Sequence, residues 1–290
     1  MSTLASRSLA LGLLACLMTR PAHAFDWDGR ATGEAPSLPR IATPAGARPP
    51  MTKADYLSGT ISWWCSGVVV RFSEDLDRPA VVLTNAHCFD ELAPGTFAAN
   101  KGMDDTIHVL APDDKNASYT ARRLIYATMT GTDIALIELD ATYRQLARKG
   151  IASREIAPAP AGAGQTVVRA SGYFRTVQDC SVDAIVPTLR ESGRWEWRDA
   201  YRLKDCRLAR GTSGSPLIVP ETDRIVGIVN GANLNGDDCK SDACEVDAQG
   251  RLSAHRGAGY AQRVDQILTC VDARGVFDLK LDSCRLFRGN

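Results

Sequence analysis

Gly211-Thr212-Ser213-Gly214-Ser215-Pro216 is the stretch on which the reading of this sequence turns. It lies between a polar segment ending at Cys206 and the apolar run Leu217-Ile218-Val219. A serine flanked by glycines lets backbone approach a carbonyl group with no Cβ in the way. Backbone N–H groups in such a loop can converge on one point and stabilise a developing negative charge there. The same composition also makes an ordinary turn. What gives it meaning is the company it keeps elsewhere in the chain.

Two further stretches supply that company. Thr84-Asn85-Ala86-His87-Cys88 follows an apolar run from Ala80 to Leu83, and Thr132-Asp133 opens directly into Ile134-Ala135-Leu136-Ile137. A histidine, an aspartate and a serine thus each stand at the edge of an expected buried strand. Serine is a weak nucleophile until a base takes its proton, and the base needs a carboxylate to set its tautomer and stabilise the imidazolium. In this order, at intervals of 46 and 80 residues, the three motifs resemble those of the chymotrypsin/trypsin family of serine proteases. The resemblance covers roughly Ile61 to Val264.

The resemblance implies an all-β fold of two antiparallel six-stranded β-barrels with a C-terminal helix, the triad lying in the cleft between barrels. It implies Ser213 as nucleophile, His87 as general base and acid, and Asp133 as the group that orients His87. The N–H groups of Gly211 and Ser213 would form the oxyanion hole, and peptide bonds would be hydrolysed through an acyl-enzyme. There are departures from the family pattern. Thr212 stands where animal members carry an aspartate, and Ser215 replaces a glycine. Both suit the bacterial branch, which includes glutamyl endopeptidases. That subgroup's marker, a histidine in the strand after the nucleophile, is missing from Gly227-Ile228-Val229-Asn230. Arg207 occupies the place, six residues before Ser213, where trypsin-like members put the aspartate that recognises Lys or Arg. Arg207 and Asn230 are therefore the expected substrate-binding residues, with no strong preference for cleavage after Lys or Arg. A loop of different length would instead leave Arg207 on the surface. Arg40-Ile41 lies near the activation cut of animal relatives, but Thr212 offers a new ammonium no charged partner. Cleavage there is not expected to act as a latch. The alternative to an enzyme is a secreted binding protein on a degenerate protease fold.

The chain has 290 residues, 44% of them hydrophobic, with 34 basic and 34 acidic side chains. That is enough apolar material for a substantial core. The even charge balance gives no reason to expect nucleic acid or an anionic membrane as partner. Arg7, the apolar run Leu9 to Met18 and Ala22-His23-Ala24 read as a signal peptide with cleavage before Phe25. Leu13-Leu14-Ala15-Cys16 is a weaker, lipoprotein-like alternative. The expected organisation is a signal peptide over 1–24, a linker or pro-segment over 25–56, a first barrel over 57–150, and a second barrel with helix and tail over 151–290. A secreted or periplasmic monomer acting on a protein or peptide substrate is expected, with no membrane attachment after signal removal and no cofactor or metal.

Of nine cysteines, Cys16 leaves with the signal. Cys65, Cys88, Cys180, Cys206, Cys239, Cys244, Cys270 and Cys284 remain, an even set that reads as disulfides in an exported chain. The turn over Ser73–Pro79 would fold Cys65 back towards Cys88, and the family has a bridge in this place. Cys180 and Cys206 are each 13 residues from Gly193, so a hairpin centred there would join them unless a bulge shifts the register. Cys239–Cys244 and Cys270–Cys284 complete the set. The rival joins Cys206 to Cys239, as a bridge in animal relatives does. Zinc at Cys239 and Cys244 lacks the usual ligand spacing.

Other residues take structural readings. Trp63 and Trp64 should point to opposite faces of a strand running from Ile61 to Phe72, one of them into the core. Trp195 and Trp197 share a face and should pack. His108 belongs to an alternating strand, and His255 to the surface. Ala141 to Lys149 reads as a short helix. Asn233 to Gln249, with Asp237, Asp238, Asp242, Glu245 and Asp247, reads as a solvated loop, or less readily as a calcium site that does not match an EF-hand. Tyr260 to Cys270 has helical spacing.

Overall fold

Strand formation follows from runs of β-branched residues broken by polar and glycine-containing turns. The computed structural model describes residues 49–289 apart from 90, 91, 114, 235, 237 and 238. The expected signal peptide, the Arg40-Ile41 bond, Cys16, Asp237 and Asp238 lie outside the described residues. Helix α1 (Lys53–Leu57) comes first, its N-terminus closed by a reciprocal capping box between Thr52 and Asp55. Residues 53–56 fall within the expected linker, and Leu57, where the first barrel is expected to begin, is buried.

The first sheet contains β1 (Thr60–Ser62), β2 (Ser66–Val70), β3 (Pro79–Thr84), β4 (Phe97–Leu110), β5 (Asn116–Thr128) and β6 (Ile134–Thr142). They close into a barrel in the order β1-β2-β3-β6-β5-β4. All five residues of β2 are buried, because both faces of this part of the barrel are covered. Val69 and Val82 point inward with Ile107, Val109 and Ile137. Val68, Val70, Val81 and Leu83 point outward and pack with Ile225, Ile228 and Ile267 of the second half. Each such side chain contributes about 1.5–3 kcal/mol through removal from water. Helix α2 (Tyr143–Ala147) follows β6, capped by Thr142 and Gln145.

The second half contains β7 (Thr166–Ser171), β8 (Thr176–Glu191), β9 (Trp195–Lys204), β10 (Pro216–Val219), β11 (Arg224–Ala232), β12 (Ala243–Val246), β13 (Leu252–Ser253) and β14 (Gly259–Arg263). Pairing runs from β8 through β7, β10, β11, β14 and β9. It returns to β8 through an antiparallel β8–β9 ladder, so six strands close a second ring. Val167, Val182, Leu203, Leu217 and Val229 fill its interior. The chain is the all-β, two-barrel fold that the sequence led us to expect.

Details differ from expectation. Residues 243–246 are a strand and not open loop: β12 pairs with the end of β8, and Ala243 and Cys244 are buried. The closing helix is a 3-10 segment, Asp265–Cys270, shorter than expected because β14 takes residues 259–263. The strand expected from Ile61 to Phe72 is broken at 63–65. Neither tryptophan there is core: Trp63 is half-buried and Trp64 is 64% exposed. The rings of Trp63 and Trp64 lie 4.5 Å apart, and Trp63 also meets Phe89.

Disulfides join Cys65 to Cys88, Cys180 to Cys206, Cys239 to Cys244 and Cys270 to Cys284. The Cys206–Cys239 rival is therefore not formed. A bulge between Val182 and Ala184 does shift the β8–β9 register, and Cys206 still reaches Cys180 at a Cα separation of 5.0 Å. Arg154, only 2% exposed, fastens the two halves together. It donates from Nε to Asp223 at 2.8 Å and from its terminal nitrogens to the carbonyls of Ser58 and Asp55. This is a buried cation whose hydrogen-bonding capacity is met on several sides, as burial demands.

Candidate active site

β3 and β6 are antiparallel neighbours, with Thr84 opposite Ala135. The residues just after β3 and just before β6 therefore meet at one end of the first barrel. That is why two motifs 46 residues apart in sequence share a site. His87 sits in a 3-10 turn, Ala86–Cys88, which the Cys65–Cys88 bridge ties back to the start of β2. Asp133 is fully buried. Its Oδ1 accepts the backbone N–H groups of Ala86 at 2.7 Å and His87 at 3.2 Å. Its Oδ2 lies 2.5 Å from His87 Nδ1. With one oxygen committed to backbone, the other is aimed at the imidazole and favours the tautomer with hydrogen on Nδ1. The Asp133 carbonyl accepts from Asn85 Nδ2 at 2.8 Å, and the adjoining Thr132 hydroxyl donates to Gln262 of β14 at 3.2 Å.

Ser213 comes from the second half, in the loop that enters β10. Its hydroxyl donates to the Asn230 carbonyl at 3.2 Å, and its own carbonyl accepts from Ser66 N–H at 2.8 Å. Gly214 has φ +79°, and a Cβ there would fall 2.1 Å from the Ser66 carbonyl oxygen. Glycine is required because the loop that carries Ser213 presses on β2 and β3 of the other barrel. Gly211 has φ +96°, and a Cβ would strike the Tyr173 ring at 2.7 Å. Its carbonyl accepts from the Ser66 hydroxyl at 3.1 Å. Among the described residues, no hydrogen-bond acceptor occupies the N–H of Gly211 or of Ser213.

His87, Asp133, Ser213 and Asn230 line one cleft of about 340 Å³. Arg207 is not part of that lining. It is exposed, and its N–H donates to Gln178 at 3.1 Å. The reason is local: Cys206 is held to β8 by its disulfide, so the chain turns inward only afterwards, and Leu208, Ala209 and Arg210 form the wall. Thr212 is neutral and satisfied within the loop, its hydroxyl donating to the Ala209 carbonyl at 2.6 Å. His108 is bonded to Ser118 on the first barrel, and His255 is exposed beside Glu245. The described residues hold one close grouping of His and Cys ligand atoms, Cys65, His87 and Cys88. Both sulfurs are already joined to each other, so the grouping offers no thiolate to a metal.

Several residues of the site escaped the sequence reading. Ser66 links three segments: its hydroxyl also meets Ser171 at 3.0 Å and accepts from Tyr173 N–H at 3.2 Å. Trp195 and Trp197, expected only to pack, wall the cleft. Trp195 Nε1 donates to the Leu92 carbonyl at 3.0 Å. Arg198 N–H, next in the strand, donates to Gly131 at 2.8 Å. The β8–β9 hairpin thus arches from the second barrel to the loop that carries Asp133. Glu191, at its tip, enters the same cleft. Its only sequence signal was proximity to the turn at Ser192-Gly193, which says nothing of where the hairpin lands.

No curated protein matches the sequence. Among solved structures, the chain is similar to the MamO protease domain of Magnetospirillum magneticum, at 14% identity over 72% of this chain and 88% of that one, with a TM-score of 0.45. It is similar to the active form of the Rv3671c protease of M. tuberculosis, at 18% identity over 69% and 68%, with a TM-score of 0.42. It is also similar to kallikrein-related peptidase 10, at 13% identity over 76% and 96%, with a TM-score of 0.44. The family model of the trypsin-like peptidase domain matches residues 65–228. That is more than half of the chain and holds all three motifs, and on it this chain belongs to the trypsin-like peptidase family.

Proposed function

We propose that the protein is an exported serine endopeptidase that uses Ser213, His87 and Asp133 as a catalytic triad. The observation that carries this reading is the Asp133 carboxylate: buried, anchored by two backbone N–H groups, and aimed by its second oxygen at His87 Nδ1. A degenerate site has no need to keep a buried carboxylate in that geometry.

The chemistry runs as follows. Ser213 Oγ attacks the carbonyl carbon of the scissile peptide bond while its proton passes to His87 Nε2. The negative charge moves to the carbonyl oxygen, where the N–H groups of Gly211 and Ser213 stabilise it. The tetrahedral species collapses, the C–N bond breaks, and the leaving amine takes the proton from His87. The acyl group stays on Ser213 as an ester. Water attacks that ester, His87 accepts a proton from it, and collapse returns the proton to Ser213 with release of the acid. Asp133 keeps the imidazole oriented and stabilises its cationic form throughout.

Export accords with four disulfides in one chain, since reducing compartments do not maintain them. No helix among the described residues is long and apolar enough to cross a membrane. Residues 1–24 act as the export signal and 25–56 as a linker or pro-segment in this reading. N-terminal sequencing of exported protein is expected to start at Phe25.

A peptide-library digest tests the activity. The wild type is expected to cleave and to be labelled at Ser213 by an organophosphorus reagent. Ser213→Ala is expected to lose hydrolysis by about 10⁶-fold. Full activity in Ser213→Ala would overturn the mechanism. A folded wild type with neither cleavage nor labelling would favour a binding protein on a protease fold.

A further inference from the structure

Glu191 is a carboxyl group in the triad's cleft that the hydrolytic steps above do not use. The β8–β9 hairpin folds it over β11. Its Oε2 accepts from Trp197 Nε1 at 2.8 Å and from Asn230 Nδ2 at 2.8 Å. Gly231 lies against it: a Cβ at that position would fall 2.6 Å from Oε1. The structure therefore holds the carboxyl through Oε2, and the missing side chain of Gly231 lets Oε1 lie close against β11 at the edge of the cleft. Burial is the largest influence on its ionisation and raises its pKa, with His87 and the two N–H donors pulling it down and Asp133 pushing it up. A carboxyl held in this way is costly to ionise until a cation arrives beside it.

Asp133, Arg210 and Asp242 also line the cleft. Asp133 is committed to His87. Arg210 belongs to the wall that leads into Gly211 and Ser213, together with apolar Leu208 and Ala209. A cation close to that wall meets a guanidinium. A cation close to the hairpin meets the Glu191 carboxyl.

We propose that Glu191 is a specificity-determining residue that pairs through Oε1 with a Lys or Arg side chain of the peptide substrate, at a position neighbouring the residue whose carbonyl Ser213 attacks. The proposal rests on the protease reading above and adds its substrate class. The pair forms between opposite charges shielded from bulk water, where such pairs discriminate strongly.

The test uses the full chain and a set of peptides in which each position flanking the cleaved bond is, in turn, Lys or its uncharged isostere norleucine. The readout is the ratio of kcat/KM for Lys over norleucine at each position. One neighbouring position is expected to favour Lys by roughly 30-fold or more. Glu191→Gln keeps the shape and hydrogen-bonding capacity, and is expected to bring that ratio to about 1. Glu191→Lys is expected to favour a Glu-bearing peptide at the same position. A merely structural role would lower both peptides together and leave the ratio unchanged in Glu191→Gln, which would overturn the assignment. A wild-type ratio near 1 at every position, with cleavage intact, would also overturn it while leaving the protease reading standing. No cleavage and no labelling of Ser213 would overturn both.

Discussion

The two barrels divide the work unequally. The first holds the proposed acid–base residues in a short, stiff unit: two adjacent strand ends, one 3-10 turn and one disulfide place His87 and Asp133. The second places Ser213 in a glycine loop and then builds most of the cleft from parts distant in sequence. These include the β8–β9 hairpin, the wall before the nucleophile, and Asn230 and Gly231 of β11. The acid–base pair depends on one ladder register, whereas the cleft depends on where several long segments come to rest. The first barrel should therefore be fragile in rate and the second in selectivity.

Apart from Ser213 itself, the largest expected break in this comparison lies in the first barrel. Asp133→Asn keeps the shape of the side chain and removes the carboxylate that sets the His87 tautomer. Turnover is expected to fall by about 10⁴, the loss known for this replacement in a Ser-His-Asp triad. Steady-state kinetics on any cleaved peptide would measure it, and a loss below tenfold would mean that His87 is oriented by something else.

The two long-range bridges sharpen the contrast. Removing Cys65–Cys88 or Cys180–Cys206 by paired serine substitutions releases loops of similar length, with sequence separations of 23 and 26. Each is expected to cost about 3 kcal/mol of stability in denaturant titrations. Their effects on catalysis should differ. Loss of the first frees the turn carrying His87 and lowers kcat for all peptides. Loss of the second frees the wall from Leu208 to Arg210 and alters the ranking of peptides. Equal changes in kcat and no change in ranking for either would dissolve the proposed division.

The smallest effect concerns Glu191 and pH. Burial raises its pKa, so the folded protein holds that proton more tightly than the unfolded chain does. Stability from this group is complete below the ordinary carboxylate range and declines as pH rises through the folded pKa. Glu191→Gln cannot ionise. It is expected to melt above the wild type at neutral pH and level with it below about pH 4. A Tm lower than wild type at pH 8 would mean that the two N–H donors outweigh burial.

What was legible beforehand followed from local rules. The strand edges at Thr84, Ile134 and Pro216 are marked by changes from polar to apolar residues, and the triad residues stand beside them. The β8–β9 hairpin was legible because Ser192-Gly193 centres it. Trp63 and Trp64 were misread because an aromatic pair fits a strand as well as an exposed turn, and only their neighbours decide between them. Residues 243–246 were misread because acidic surroundings hid a short strand whose partner lies some fifty residues away. Arg207 had two readings that differed by loop length, and the structure has it exposed, outside the lining of the cleft.

The sequence by itself determined the family, the three motifs and the strand-rich character, because each is written in contiguous stretches with their own hydrophobic pattern. The tertiary structure alone decided what surrounds the triad. Glu191 and Trp197 line the cleft with His87, Asp133 and Ser213, and Ser66 bonds the loop that carries Ser213, all across segments far apart in the chain. A hydrogen bond such as Glu191 to Asn230, across 39 residues, leaves no local periodicity to read. It exists only once a hairpin twenty-nine residues long, from β8 to β9, has folded over β11.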